Sequence, residues 1–150
     1  MPNPFENKRV LIAENTAPIR QLIVSELKNI GFKIQNIHQA ENGVKAVIIL
    51  LKNDLDLILS EFNLPKMDGL TFLKKVRSLK SAAFTSFLMM TGEADLDKKT
   101  SLLDQAQTSS FKSHLRNKYF MRPFRSFYFL KSNSNIKKFS SWKIHPPLEV

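Results

Sequence analysis

Leu55-Asp56-Leu57-Ile58-Leu59-Ser60-Glu61-Phe62-Asn63-Leu64-Pro65-Lys66-Met67-Asp68-Gly69-Leu70 is the stretch on which the reading of this chain turns. An apolar run from Leu55 to Leu59 meets Ser60-Glu61 and a loop containing Pro65 and Gly69. Leu70, Leu73, Val76 and Leu79 then recur on one side of a predicted helix. A buried strand that ends in polar residues and hands over to a helix is the repeating unit of a parallel α/β fold.

The same unit recurs on both sides of it. Val10-Leu11-Ile12-Ala13 is an unbroken apolar run of the kind that is covered on both faces. Glu14-Asn15-Thr16 and Pro18 supply helix-start chemistry, Ile19, Leu22, Ile23, Leu27 and Ile30 keep helical spacing, and Gly31 is a stop. Phe32 to Ala40 predicts a second strand, Asn42-Gly43 opens a helix over Val44 to Leu51, and Phe87-Leu88-Met89-Met90 predicts a fourth strand. Asp95 to Gln107 reads as a fourth helix and Tyr119-Phe120-Met121 as a fifth strand. The expectation is a doubly wound sheet of five parallel strands. In such sheets polar sites gather at the carboxyl ends of the strands, near the point where strand order reverses. That rule selects Glu14-Asn15, Glu61, Thr91 and Arg122. Taken singly, Glu14 reads as a solvated loop acid and Thr91 as a cap; their strand-end positions make them candidates.

Asn63-Leu64-Pro65-Lys66-Met67-Asp68-Gly69-Leu70 is similar to the loop that follows the phosphoacceptor of response-regulator receiver domains, the CheY-like family of two-component signalling. Val10 to Asn15, Gly31-Phe32, Ala40-Glu41-Asn42-Gly43, Met90-Thr91-Gly92 and Tyr119-Phe120-Met121-Arg122-Pro123-Phe124 support the resemblance in the family's order, over roughly residues 8–125. It implies a flavodoxin-like fold, a cytoplasmic signalling module rather than an enzyme, and protein partners. It also implies a pocket in which two acids after the first strand and an Asp after the third hold Mg²⁺, that Asp accepting a phosphoryl group. A Thr or Ser and a Lys then bind the phosphoryl oxygens and carry the switch.

The sequence departs from this pattern at the pocket. The acceptor position holds Glu61, the acidic pair is Glu14-Asn15, and the switch Lys is Arg122, a planar fork that is not equivalent to an ammonium. Thr91 and the aromatic switch position Tyr119 remain, as does Asn63, whose backbone carbonyl would serve the metal. Asp54, Asp56 and Asp68 lie off the strand's carboxyl end, so none replaces Glu61 as the acceptor. With Glu14, Glu61 and Asn63 as its ligands, Mg²⁺ binding is expected to be weakened or lost. The reading is a stand-alone pseudo-receiver acting by protein–protein interaction, with Glu61 facing Arg122 as a fixed ion pair. A conventional receiver phosphorylated on a substituted residue is the alternative, and a histidine kinase as partner is left open.

Composition narrows the rest. At 150 residues the chain is sized for one domain. No cysteine and three scattered histidines, His38, His114 and His145, exclude thiolate metal sites and disulfides. No apolar run reaches the roughly 20 residues of a membrane span, and the first residues lack signal-peptide order. The formal charge of +10 would suggest a nucleic-acid binder, but residues 1–104 are nearly balanced and residues 105–150 hold 9 of the 23 Lys/Arg with one acid, Glu149. The expected organisation is therefore a receiver-like domain over 1–125, with an extended segment at about 107–118, and a degenerate fifth helix with a basic tail over 126–150. Phe127, Leu130, Ile136 and Phe139 are the apolar anchors of that helix, which Ser132-Asn133-Ser134-Asn135 weakens. The fourth helix, fifth strand and C-terminal region are the expected partner surface. The tail makes nucleic acid or another anionic surface the less favoured alternative.

Overall fold

The computed structural model describes residues 2–91, 126–130 and 136–139, with Thr91 and the last two stretches described by their backbone. Four parallel strands, β1 (Val10–Ala13), β2 (Ile37–Ala40), β3 (Leu57–Glu61) and β4 (Ser86–Thr91), alternate with helices α1 (Ala17–Asn29), α2 (Gly43–Lys52) and α3 (Gly69–Ser78). Their order in the sheet is β2-β1-β3-β4, so the chain reverses direction across the sheet between β2 and β3. This is a flavodoxin-like α/β arrangement.

The apolar runs are unbroken because the sheet is covered on both faces. Val10 and Ile12 of β1, Leu57 and Leu59 of β3, and Leu88 and Met90 of β4 join Ile23, Val24 and Leu27 of α1 in one core, capped by the stacked rings of Phe5 and Phe32 at 5.0 Å. Leu11, Ile58, Phe87 and Met89 point the other way, against Ala46 and Leu50 of α2 and Phe72, Leu73 and Val76 of α3. Each strand thus feeds both cores at a period of two.

Polar contacts fix the amino ends of the strands. Asp56 accepts from Lys8 Nζ at 3.0 Å and from the Arg9 N–H at 2.9 Å, clamping β3 to the start of β1. Arg77 Nη1 donates to the carbonyls of Ala83 and Thr85 at 3.3 and 2.7 Å, tying α3 to the turn before β4. Burial pushes the pKa of this guanidinium down to about 10, and it remains charged at neutral pH.

Several expectations are revised. The second strand is shorter than Phe32 to Ala40 because Ile34–Asn36 form a 3₁₀ turn ahead of it. The larger correction concerns the far edge. In place of five parallel strands, the neighbour of β4 is an antiparallel strand, β5 (Ser126–Leu130), followed by a second antiparallel strand, β6 (Ile136–Phe139), extending the order to β2-β1-β3-β4-β5-β6. The register sets Met90 opposite Phe127 and Phe127 opposite Phe139. The anchors assigned to a degenerate fifth helix are therefore strand residues. Ser-Phe-Tyr-Phe-Leu is rich in aromatic strand formers, and the Ser/Asn run after it favours reversal over helix continuation. The predicted fourth helix, the segment at 107–118 and the Tyr119-Phe120-Met121 strand lie outside the described residues.

The α2–α3 core holds the two largest fully buried side chains among the described residues, Phe72 and Phe87. Phe72 is fully buried, its ring 5.7 Å from that of Phe87. Phe72→Ala is expected to lower the unfolding free energy by about 3–5 kcal/mol, measured by urea denaturation.

Candidate functional site

Glu14 and Glu61 are brought together by strand register. β1 and β3 pair with Ala13 opposite Ser60, so the next residue along each strand is one of the two acids. Backbone bonds extend the ladders to both sides of them: the Glu14 N–H donates to the Ala40 carbonyl at 3.0 Å, and the Phe62 N–H to the Met90 carbonyl at 2.8 Å. Glu61 itself is the last residue of β3, opposite Met90 of β4, and Thr91 is the last residue of β4. Three of the selected positions thus share the carboxyl edge of the parallel sheet.

The two acids are almost completely removed from solvent, Glu14 at 1% and Glu61 at 4% exposure. Burial of a carboxylate is costly unless its oxygens are bonded. Glu61 Oε1 accepts from the Phe62 and Asn63 N–H groups at 2.9 and 3.2 Å. Glu14 Oε1 accepts from the Thr16 N–H at 2.9 Å. Each acid therefore folds back on the loop that follows its own strand. Glu14 is not the solvated loop residue it resembles when read alone. Arg20, which the sequence did not single out, donates from Nη1 to the Glu14 carbonyl at 2.7 Å, so α1 is hooked to the end of β1. Its signal was an Arg in the first turn of a helix leaving a site strand.

The loop of 62–68 is held between β3, α2 and α3. The Gly69 N–H donates to the Phe62 carbonyl at 2.8 Å, and a Cβ on Gly69 would collide with the Glu61 carbonyl oxygen. A Cβ on Gly43 would meet the Met67 carbonyl oxygen. Lys66 adopts φ 67° with the Met67 N–H bonded to the Pro65 carbonyl at 2.8 Å, a tight turn in the left-handed region. Asp68 caps α3 by accepting from the Thr71 N–H at 2.7 Å, and the buried Asn42 caps α2 by accepting from the Lys45 N–H at 2.8 Å. The Met-Asp-Gly and Glu-Asn-Gly segments are thus helix starts pressed against the site.

Asn15 and Asn63 are both exposed beside the two buried acids. Tyr119 and Arg122, and with them the expected Glu61–Arg122 contact, lie outside the described residues, and Thr91 is described through its backbone pairing to Ser126. A hard divalent cation takes about six oxygen ligands, carboxylates foremost among them. Here the acid beside Glu14 is the amide Asn15, and one oxygen of each remaining carboxylate already accepts a backbone N–H. Among the described residues no group of three His, Cys, Asp or Glu side chains is placed to hold a metal ion. This donor set does not fit the three-carboxylate Mg²⁺ site of the family.

A parallel sheet with a polar carboxyl edge and a Pro-Lys-Met-Asp-Gly loop after β3 defines a class, and the family comparison agrees. Residues 10–111 match the model of the response regulator receiver domain, and the chain belongs to that family, whose members are protein-interacting modules of two-component signalling. Chemotaxis protein CheY-3 of Vibrio cholerae serotype O1 is 29% identical over 119 residues, covering 79% of this chain and 83% of its own length. A probable chemotaxis protein CheY of Rhizobium etli is 33% identical over 90 residues, 60% of this chain and 68% of its own. Among solved structures, the chemotaxis response regulator CheY4 of Vibrio cholerae superposes with a TM-score of 0.60 at 30% identity, over 66% of this chain and 79% of that one. No helix among the described residues is long and apolar enough to cross a membrane.

Removing the Glu61 carboxylate tests the backbone clamp. Glu61→Ala leaves the Asn63 N–H without its acceptor and is expected to cost about 1–3 kcal/mol. Amide hydrogen exchange should quicken at Asn63 and Phe62 before it does so in β1. Glu61→Gln, which keeps an acceptor oxygen, should retain most of the protection.

Proposed function

We propose that this receiver is an atypical one, a protein-interaction module whose signalling state does not depend on ordinary phosphorylation of an aspartate. The observation that carries the reading is Glu61: it occupies the acceptor position, is buried, and gives Oε1 to two backbone N–H groups of the loop leading to α3. Attack on phosphorus requires an approachable carboxylate oxygen, and Glu61 is buried at the strand end. Charge-assisted bonds from two N–H donors draw density away from Oε1 and hold it against its own backbone.

The pocket charge points the same way. Asn15 removes one negative charge from the pair after β1, so less cation is needed to offset Glu14 and Glu61, and less is attracted. A buried carboxyl group bonded to the β3–α3 loop holds permanently the contacts that a phosphorylatable acceptor would make transiently. In this reading the loop, the start of α3 and the end of β4 are held in a single arrangement, with Arg122, Thr91 and Tyr119 as the remaining switch positions. The partner meets the segments predicted as the fourth helix and fifth strand and the C-terminal region, in the cytoplasm, and a histidine kinase need not act on Glu61.

Intact-mass spectrometry after incubation with acetyl phosphate and Mg²⁺ tests the proposal. No adduct of about 80 Da, the mass one phosphoryl group adds, is expected under conditions that label an Asp-bearing receiver. Labelling that disappears in Glu61→Gln would overturn it in favour of a substituted acceptor. Glu61→Asp together with Asn15→Asp restores the acidic set and is expected to bring back both Mg²⁺ binding and labelling.

A further inference from the structure

α2 is apolar on nearly every side. Its sequence, Gly43-Val44-Lys45-Ala46-Val47-Ile48-Ile49-Leu50-Leu51-Lys52, carries seven aliphatic side chains in ten residues, a pattern normal for a helix enclosed all round. The fold encloses it on one side. Ala46 and Leu50 are buried in the core with Val47 and Ile49 packed beside them, whereas Val44, Ile48 and Leu51 are 40%, 47% and 62% exposed. Spaced i, i+4 and i+7, these three form a continuous stripe along the outer face of the helix. Single exposed apolar residues are ordinary, but three of the five large ones among the described residues lie on this one stripe.

Charge identifies what would cover it. Lys45 and Lys52 share the exposed face with the stripe, and the adjacent α3 exposes Lys74 and Lys75. Glu41 is engaged by Lys45 and Asp68 by the α3 amino end, leaving Asp54 beyond the helix as the nearby acid to offset them. A second copy fits poorly: antiparallel packing of two α2 stripes sets Lys52 against the other Lys45, and parallel packing sets like against like. A partner with carboxylates beside an apolar stripe satisfies both features.

We propose that the outer face of α2 docks an amphipathic, acid-flanked helix of a partner protein. Its aliphatic side chains cover Val44, Ile48 and Leu51, and its Asp or Glu residues meet Lys52, Lys74 and Lys75. Three side chains make a small contact, suited to a weak and reversible complex. The stripe runs along the solvent side of the helix from its first turn to its last, and the proposal does not depend on whether the Glu61 edge accepts phosphate.

The test is an NMR titration of the ¹⁵N-labelled full chain with two synthetic helical peptides sharing one leucine stripe, one flanked by Glu and the other by Lys. The Glu peptide is expected to shift the amides of 43–52, with affinity reduced about tenfold or more in Ile48→Glu, as for loss of a central contact. Lys52→Glu should weaken the Glu peptide and strengthen the Lys peptide. Both variants change exposed positions and should keep the wild-type unfolding midpoint. Absence of shifts on α2, or equal binding of the two peptides, would overturn the proposal. So would a concentration-dependent dimer abolished by Ile48→Glu, which assigns the stripe to a second copy. Binding to phosphatidylglycerol vesicles through α2 without peptide binding would assign it to a membrane surface and equally overturn it.

Discussion

Two carboxylates held out of water at neighbouring strand ends are the constraint around which this domain is organised. Glu14 and Glu61 sit side by side because β1 and β3 pair in parallel register, and neither could stay buried without donors for its oxygens. The donors come from the backbone immediately downstream. The bonds from Phe62 and Asn63 to Glu61, and from Thr16 to Glu14, therefore fix the first residues of both loops. Loop geometry then fixes the helices, through Arg20 at the start of α1 and the close approach of Gly69 to the end of β3.

The same arrangement connects packing to function. β1, β3 and β4 are buried on both faces, which makes the sheet a rigid platform, and its polar chemistry is confined to the carboxyl edge. In the receiver family that edge works as a metal-assisted phosphate switch. Here Asn15 stands beside Glu14, and Glu61 ends β3 with its Oε1 bonded to the backbone. Under the proposed reading, such a site holds a loop in place and the output lies in the surface presented to other proteins.

Much of this was legible in the sequence because the signals were local. Apolar runs marked β1, β3 and β4, a loose alternation marked β2, and Asn42-Gly43 and Met67-Asp68-Gly69 marked helix starts whose caps the structure shows. The strand-end rule found Glu14 and Glu61, since both follow directly from where a buried strand stops. Other features depended on tertiary context. That Glu14 is buried instead of solvated is set by neighbours from β2 and α1, which spacing alone does not reveal. For Phe127, Leu130, Ile136 and Phe139 the family order predicts a helix. Their aromatic strand propensity, and the free edge of β4, decided otherwise. The exposed stripe of α2 is hidden in the sequence for a related reason: its apolar residues count as core until the fold shows which of them the core can reach.

With one oxygen of each bonded to backbone N–H groups, Glu14 and Glu61 are proposed not to hold a cation. The most direct measurement is the side-chain carboxyl ¹³C shift of each residue, followed by NMR while Mg²⁺ is raised through the millimolar range. Both signals should stay in place, with the Asn63 amide protected throughout. A saturable shift of the two carboxyls together, with loss of Asn63 protection, would contradict the account.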